Sequence, residues 1–118
     1  MGFYSGISVS IKGTGMYVPE KVLTNNDLSQ MVETSDEWIR ERTGICRRHI
    51  AAEGELTSGV AAKAARNALV NSGTDPLELD MIIVATNSPD TLFPGVGPKV
   101  QGILGAGKAG AFDVQSGC

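Results

Sequence analysis

The chain has 118 residues, enough for one domain, with 42% apolar residues and a formal net charge of −3. A mildly acidic chain lacks the basic footprint that nucleic-acid binding requires, and no run approaches the ~18 apolar residues of a membrane span. The first residues, Met1 to Gly6, have neither a basic start nor an apolar stretch and do not read as a secretory leader.

Ile7, Val9 and Ile11 alternate with Ser8, Ser10 and Lys12, which predicts a strand over 7–12. Gly13-Thr14-Gly15 then bends the chain. Asn25 or Asn26 can cap a short helix that begins near Asp27. Thr34-Ser35-Asp36-Glu37 has the form of a capping box, with Thr34 as the cap and Glu37 at the third helical position. Asp36 and Glu37 also suit the positive end of the helix dipole, and Gly44 stops the helix.

The longest helix is predicted over 57–71, with a small-residue stripe of Val60, Ala61, Ala64, Ala65, Ala68 and Leu69 that permits close approach of another backbone; Gly73 ends it. Pro76 opens a short turn. The run 81–86 is apolar without alternation, the pattern of a strand buried on both faces. A loop over 87–97 precedes a helix over 98–104, ended by Gly105 and Gly107, and a last strand covers 109–114. Strands alternating with helices imply an α/β fold around a buried sheet, with no domain boundary inside the chain.

Several residues invite chemistry. The stretch 102–109 nearly fits the phosphate-binding pattern G-x-x-x-x-G-K-[ST]. That loop needs a strand before it, a helix after it and a hydroxyl for magnesium. Here the predicted order is reversed and Ala109 has no hydroxyl, which favours a glycine-rich turn. Gly13-Thr14-Gly15 is half of a dinucleotide fingerprint, without the third glycine. Cys46 and Cys118 have no metal-ligand spacing and read as reduced thiols of a cytosolic protein, a disulfide between them being the alternative.

His49 is the only histidine. A Cys118–His49 pair would give a thiol its base, but nothing in the sequence joins them, and a lone histidine beside Arg47 and Arg48 suits a structural or surface role. Arg40, Arg42, Arg47 and Arg48 crowd guanidinium groups into one region, which is either a solvated face or an anion site. Trp38 and Arg42 lie at i and i+4, on one face of the capped helix. An indole with a guanidinium beside it suits an aromatic base that carries phosphates, and equally suits core packing. Cys118 follows the last strand through Gln115-Ser116-Gly117. A thiol at the start of a following helix would be activated, whereas a terminal cysteine carries its own carboxylate, which raises its pKa.

Thr34-Ser35-Asp36-Glu37-Trp38-Ile39, Arg42-Thr43-Gly44-Ile45 and Arg48-His49-Ile50 resemble the N-terminal signature of β-ketoacyl-acyl-carrier-protein synthase III, the initiating condensing enzyme of bacterial fatty-acid synthesis. Ile83-Val84-Ala85-Thr86, Phe93-Pro94 and Ala111-Phe112-Asp113-Val114 continue the resemblance in order and spacing. It implies a thiolase-like, layered α-β-α-β-α fold of which residues 1–118 are the N-terminal part. It implies that Cys118 is the catalytic nucleophile and that the chain ends on it. The family's activating His and Asn lie in the later half, and His49 matches neither.

The same resemblance implies that Thr34, Trp38 and Arg42 bind coenzyme A, and that Phe93 shapes the acyl pocket at a homodimer interface. The arginine cluster could also meet an acidic acyl carrier protein. The implied reaction is acyl transfer from acyl-CoA to the cysteine, then decarboxylative Claisen condensation with malonyl-acyl carrier protein. It uses no metal or redox cofactor, coenzyme A thioester being the substrate, in a cytoplasmic enzyme with no nucleic-acid or membrane partner. Two departures stand out: Gln115-Ser116-Gly117, where many members are alanine-rich, and Cys46, where a charged residue is common. They leave open a condensing enzyme of secondary metabolism with another primer or acceptor. From other classes, a nucleotide-binding module would use Lys108 for ATP, and a non-catalytic interaction domain would show no thiol reactivity.

Overall fold

The computed structural model describes residues 8–116. In chain order it has β1 (Lys21–Thr24), α1 (Asn25–Ser29), α2 (Asp36–Thr43), β2 (Arg47–Ile50), α3 (Thr57–Ser72), a single 3₁₀ turn (Pro76–Glu78), β3 (Met81–Ala85), α4 (Val96–Leu104) and β4 (Gly110–Val114). β1 and β2 pair antiparallel, with Val22 opposite His49. β3 and β4 pair in parallel, with Ile83 opposite Phe112, and α4 makes the crossover between them.

The core lies where α3 and α4 cover one face of the parallel pair. Ala62, Val96 and Val100 are buried there, with Ala61, Ile82, Val84 and Leu104 packed around them. The predicted small-residue stripe of α3 is half-buried throughout, and Ala62, outside that stripe, is its most buried apolar position. The close approach it permits is made by Gly15. A Cβ there would collide with the α3 backbone at Ala64, Asn67 and Ala68, and one at Gly13 would come within 2.7 Å of the Ser72 Cβ.

The strand expected over 7–12 is not formed among the described residues; Ile7 itself lies outside them. Val9 and Ile11 are 91% and 86% exposed, and with no ladder partner the alternating pattern has nothing to pair with. The run 81–86 is not buried on both faces. Ile82 and Val84 point into the core, while Met81 and Ile83 are 54% and 59% exposed, as are large parts of Phe112 and Val114. Among the described residues no layer covers that second face.

Helix starts also differ from the pattern. Thr24, not Asn25 or Asn26, caps α1 through a reciprocal bond with Asp27, and Asn25 becomes its buried first residue. Ser35, not Thr34, caps α2: Ser35 is extended, and its Oγ accepts the Trp38 amide at 3.1 Å. Glu37 therefore falls a position too early for a capping box. Gly44 does stop the helix, at φ 70°.

α4 begins two residues before the expected Pro98. The carboxylate of Asp113 on β4 reaches the N-terminus of α4 and accepts the Val96 amide at 2.6 Å and the Gly97 amide at 2.5 Å. Pro98 then fits within the first turn, where no intrahelical donor is needed. β1 and β2 are short and were not foreseen. The stretch 102–109 is the end of α4, a turn and the approach to β4, so helix precedes strand and the phosphate-loop order is reversed.

Asp113 thus bolts helix to sheet. Replacing it with Ala removes two acceptors from buried helix-terminal amides and should lower stability by about 2 kcal/mol. Asp113→Asn, which keeps one oxygen in place, should cost less. The midpoint of urea unfolding, compared at constant m-value, checks both.

Candidate functional site

Helix α2 displays the aromatic and cationic groups that the sequence singled out. Its eight residues start on the Ser35 cap and end at Gly44. The i, i+4 spacing brings the Arg42 guanidinium over the Trp38 ring, 4.9 Å from its centroid. Trp38 nonetheless stays 54% exposed, so the indole is not a core residue. A hollow of about 280 Å³ beside it is lined by Glu33, Thr34, Ser35 and Trp38. The Thr34 hydroxyl oxygen is buried with no hydrogen-bond partner among the described residues. The structure thus brings Thr34 and Trp38 together at one hollow and holds Arg42 against the indole.

The rest of the arginine cluster divides by role. Arg40 pairs with Asp36 at 2.8 Å, one turn back on the exposed side of α2. That guanidinium, and then the Asn25 amide, hold the Asp36 carboxyl below its ordinary range. Arg48 is committed to structure: it donates to the Leu23 carbonyl at 3.2 Å and to Asn25 Oδ1 at 2.7 Å. Arg47 is exposed on β2. His49, also on β2, holds the Pro19 carbonyl through Nδ1 at 2.6 Å, a structural use that agrees with the blander of its two readings. Cys46 is a free, exposed thiol.

A second cluster forms at the carboxyl ends of the parallel strands. β3 and β4 run the same way, so the loop after Ala85 and the segment after Val114 leave from the same edge, the edge at which open α/β sheets commonly place their ligands. The first of these loops carries Phe93, 93% exposed, beside Leu92, 88% exposed. Its base is firmly tied. Asp90, whose side chain is 2% exposed, accepts the Ser58 amide at the start of α3 at 3.0 Å and pairs with Lys99 at 3.3 Å. Burial pushes the Asp90 carboxyl up, but the Ser58 and Lys99 bonds outweigh it and the net shift is downward. Lys99 also donates to the Thr91 hydroxyl, which closes on the Pro94 carbonyl. The second segment leads in sequence to Cys118, which lies outside the described residues.

Tyr17, Glu55 and Lys63 join the segment before β1 to α3. The Tyr17 hydroxyl donates to Glu55 Oε1 at 2.6 Å, and Lys63 donates to both partners at 2.9 Å. Neither this cluster nor the Asn25, Asp90 and Asp113 contacts were visible as sites in the sequence. Asp113 alone left a signal: a charge at an inward position of an otherwise apolar strand.

No family model matches the sequence. The chain is 56% identical over 108 residues to the β-ketoacyl-[acyl-carrier-protein] synthase III of Hyphomonas neptunium, covering 92% of this chain and 33% of that protein. Among solved structures it is similar to 3-oxoacyl-[acyl-carrier-protein] synthase III of Aquifex aeolicus, with a TM-score of 0.83 and 48% identity over 90% of this chain and 34% of that one. It is also similar to a priming β-ketosynthase of a polyketide biosynthetic pathway, with a TM-score of 0.83 and 33% identity over 90% of this chain and 32% of that one. The chain therefore spans about a third of the length of the relatives it matches.

The Tyr17 hydroxyl, then Lys63, lower the Glu55 carboxyl to about 2 from an ordinary value of 4.5. A carboxyl depressed in the folded state stabilises the fold above its unfolded pKa and loses that contribution as pH falls through the folded one. Stability should therefore decline between about pH 4.5 and 2 through this group. Glu55→Gln should flatten that part of the pH profile in thermal unfolding, leaving the slope above pH 5 unchanged.

Proposed function

We propose that this chain, whose sequence and thiolase-like fold are similar to those of β-ketoacyl-[acyl-carrier-protein] synthase III over about a third of that enzyme's length, carries the coenzyme A platform and the nucleophile of an initiating condensing enzyme. The observation that carries this reading is the exposed Trp38 with the Arg42 guanidinium against its ring, beside the unpartnered Thr34 hydroxyl. An aromatic face offers stacking to an adenine. A guanidinium offers charge to phosphates, and Thr34 lines the hollow beside the ring.

In this reading the Cys118 thiolate attacks the carbonyl of an acyl-CoA thioester, taking acetyl-CoA as primer. The acyl group passes to sulfur and coenzyme A leaves as its thiol after taking up a proton. Malonyl-acyl carrier protein then loses carbon dioxide, and its carbanion attacks the acyl-cysteine carbonyl and expels the Cys118 thiolate. The products are a β-ketoacyl-carrier protein and free enzyme. The His and Asn that the family uses at the second step belong to parts of the enzyme beyond this chain. Coenzyme A is substrate throughout, and no resident metal or redox group enters. Phe93, held on its tied loop at the edge where β4 also ends at Val114, bounds the acyl pocket of a homodimer.

A second reading is supported by the similarity to the priming β-ketosynthase together with the sequence Gln115-Ser116-Gly117 before Cys118: the same acyl-cysteine chemistry with another primer. A panel of acyl-CoA primers separates the two.

Mass spectrometry of the intact enzyme that bears this segment, incubated with acetyl-CoA, should show one added acetyl group, absent in Cys118→Ser. Acetylation that survives Cys118→Ser would sink the assignment of the nucleophile. Trp38→Ala should raise KM for acetyl-CoA about tenfold, the size of one lost base-stacking contact.

A further inference from the structure

Helix α2 is only eight residues long, too short to be stable in isolation. Ile39 is its one buried side chain, and a buried amide from α1 ties both of its ends. Asn25, at the start of α1, is 1% exposed. Its Nδ2 donates to Asp36 Oδ1 at 2.8 Å and to the Ile45 carbonyl at 2.8 Å. Its Oδ1 accepts from Arg48 Nη2 at 2.7 Å. Both donors are used and the acceptor faces a cation. The opposite amide orientation would set oxygen against a carboxylate and a carbonyl, so the network fixes the side chain in one sense.

The partners of Asn25 are not scattered. Asp36 is the first residue of α2, Ile45 follows the glycine that ends it, and Arg48 lies on β2, where it also grips the Leu23 carbonyl of β1. One side chain therefore holds α2 at both ends and anchors it to the β1–β2 pair. Between those ends lie Trp38 and Arg42. The Ser35 cap settles where the helix begins, whereas the amide settles where the helix sits.

Given the coenzyme A role proposed for Trp38 and Arg42, on which this rests, we infer that Asn25 is a positioning residue for nucleotide recognition. It touches no substrate. It clamps both ends of α2 so that indole and guanidinium meet the nucleotide end of coenzyme A as a preformed pair. A preformed pair spends little conformational entropy on binding, and a small misplacement of either group weakens a stacking contact that depends on geometry. A buried polar network of this kind is costly unless every member is satisfied, so removing the amide leaves Asp36, Ile45 and Arg48 all short of a partner.

The effect should follow the nucleotide and not the thioester. In the intact enzyme, Asn25→Ala should raise KM for acetyl-CoA about tenfold while changing kcat by less than about twofold. Acetyl-pantetheine, which has the thioester arm without the nucleotide, should be used equally well by wild type and variant. Where Asn25→Ala is recovered unfolded, Asn25→Asp is measured the same way; it keeps the Arg48 contact, replaces both donors and sets a carboxylate against Asp36. Equal losses on both substrates, or no change on either, would overturn the inference while leaving the coenzyme A platform standing. A wild-type enzyme that shows no preference for acetyl-CoA over acetyl-pantetheine would overturn the platform, and with it the role of Asn25.

Discussion

The carboxylate of Asp113 is the joint on which this structure turns. A parallel strand pair needs a crossover element, and that element must be placed on the sheet at a fixed height. Asp113 does this by accepting the first two amides of α4 from within β4. The contact satisfies two donors that the helix cannot satisfy itself and places a negative charge at the positive end of its dipole. The start of α4, where the loop after β3 returns to the sheet, takes its position from this joint. Asp90 repeats the device at α3, where it accepts the Ser58 amide and draws in Lys99. Two buried or half-buried carboxylates thus set two helices against one sheet. Between them they fix the base of the loop that presents Phe93.

The α2 platform is built by a different means. The β1–β2 pair beside it is only four residues deep on each strand. Stability there comes from polar contacts that are each satisfied: the Ser35 cap, the Asn25 junction and the Arg40–Asp36 pair. The last of these is exposed, and solvent screens it. The buried amide matters more, because it has no water to fall back on. A helix tied down at both ends can leave its aromatic face open, as Trp38 shows.

How much of this was legible follows from what leaves a mark in sequence. Periodicity marked α3, and glycine marked its end and that of α2, because left-handed backbone is a local requirement. The pairing of Trp38 with Arg42 was legible for the same reason: i, i+4 geometry is fixed once a helix is granted. The cap of α2 was misplaced by one residue because Thr34 and Ser35 both carry a suitable hydroxyl. The choice between them is made by which residue the fold holds extended. Asn25, Asp90 and Asp113 make their contacts across wide sequence separations. Their roles depend on topology, which no local pattern encodes. The β1–β2 pair leaves no local mark because its strands are too short to show alternation.

The strand β3 shows where a wrong expectation is still informative. Met81-Ile82-Ile83-Val84-Ala85 is apolar on both faces, yet only Ile82 and Val84 meet the core formed by the described residues. Phe112 and Val114 beside it repeat the pattern. Apolar surface on this scale is stabilising only when it leaves water, at about 25 cal/mol per Å², and parallel sheets are stable when both faces are covered. Composition along a strand records the layers the sheet was selected to sit between. In a layered α-β-α-β-α architecture both faces of such a pair are interior, and the relatives that share this fold are about three times as long as this chain. A layer over Met81, Ile83 and Phe112 is what the apolar second face of β3 and β4 calls for, since only burial there converts that surface into stability.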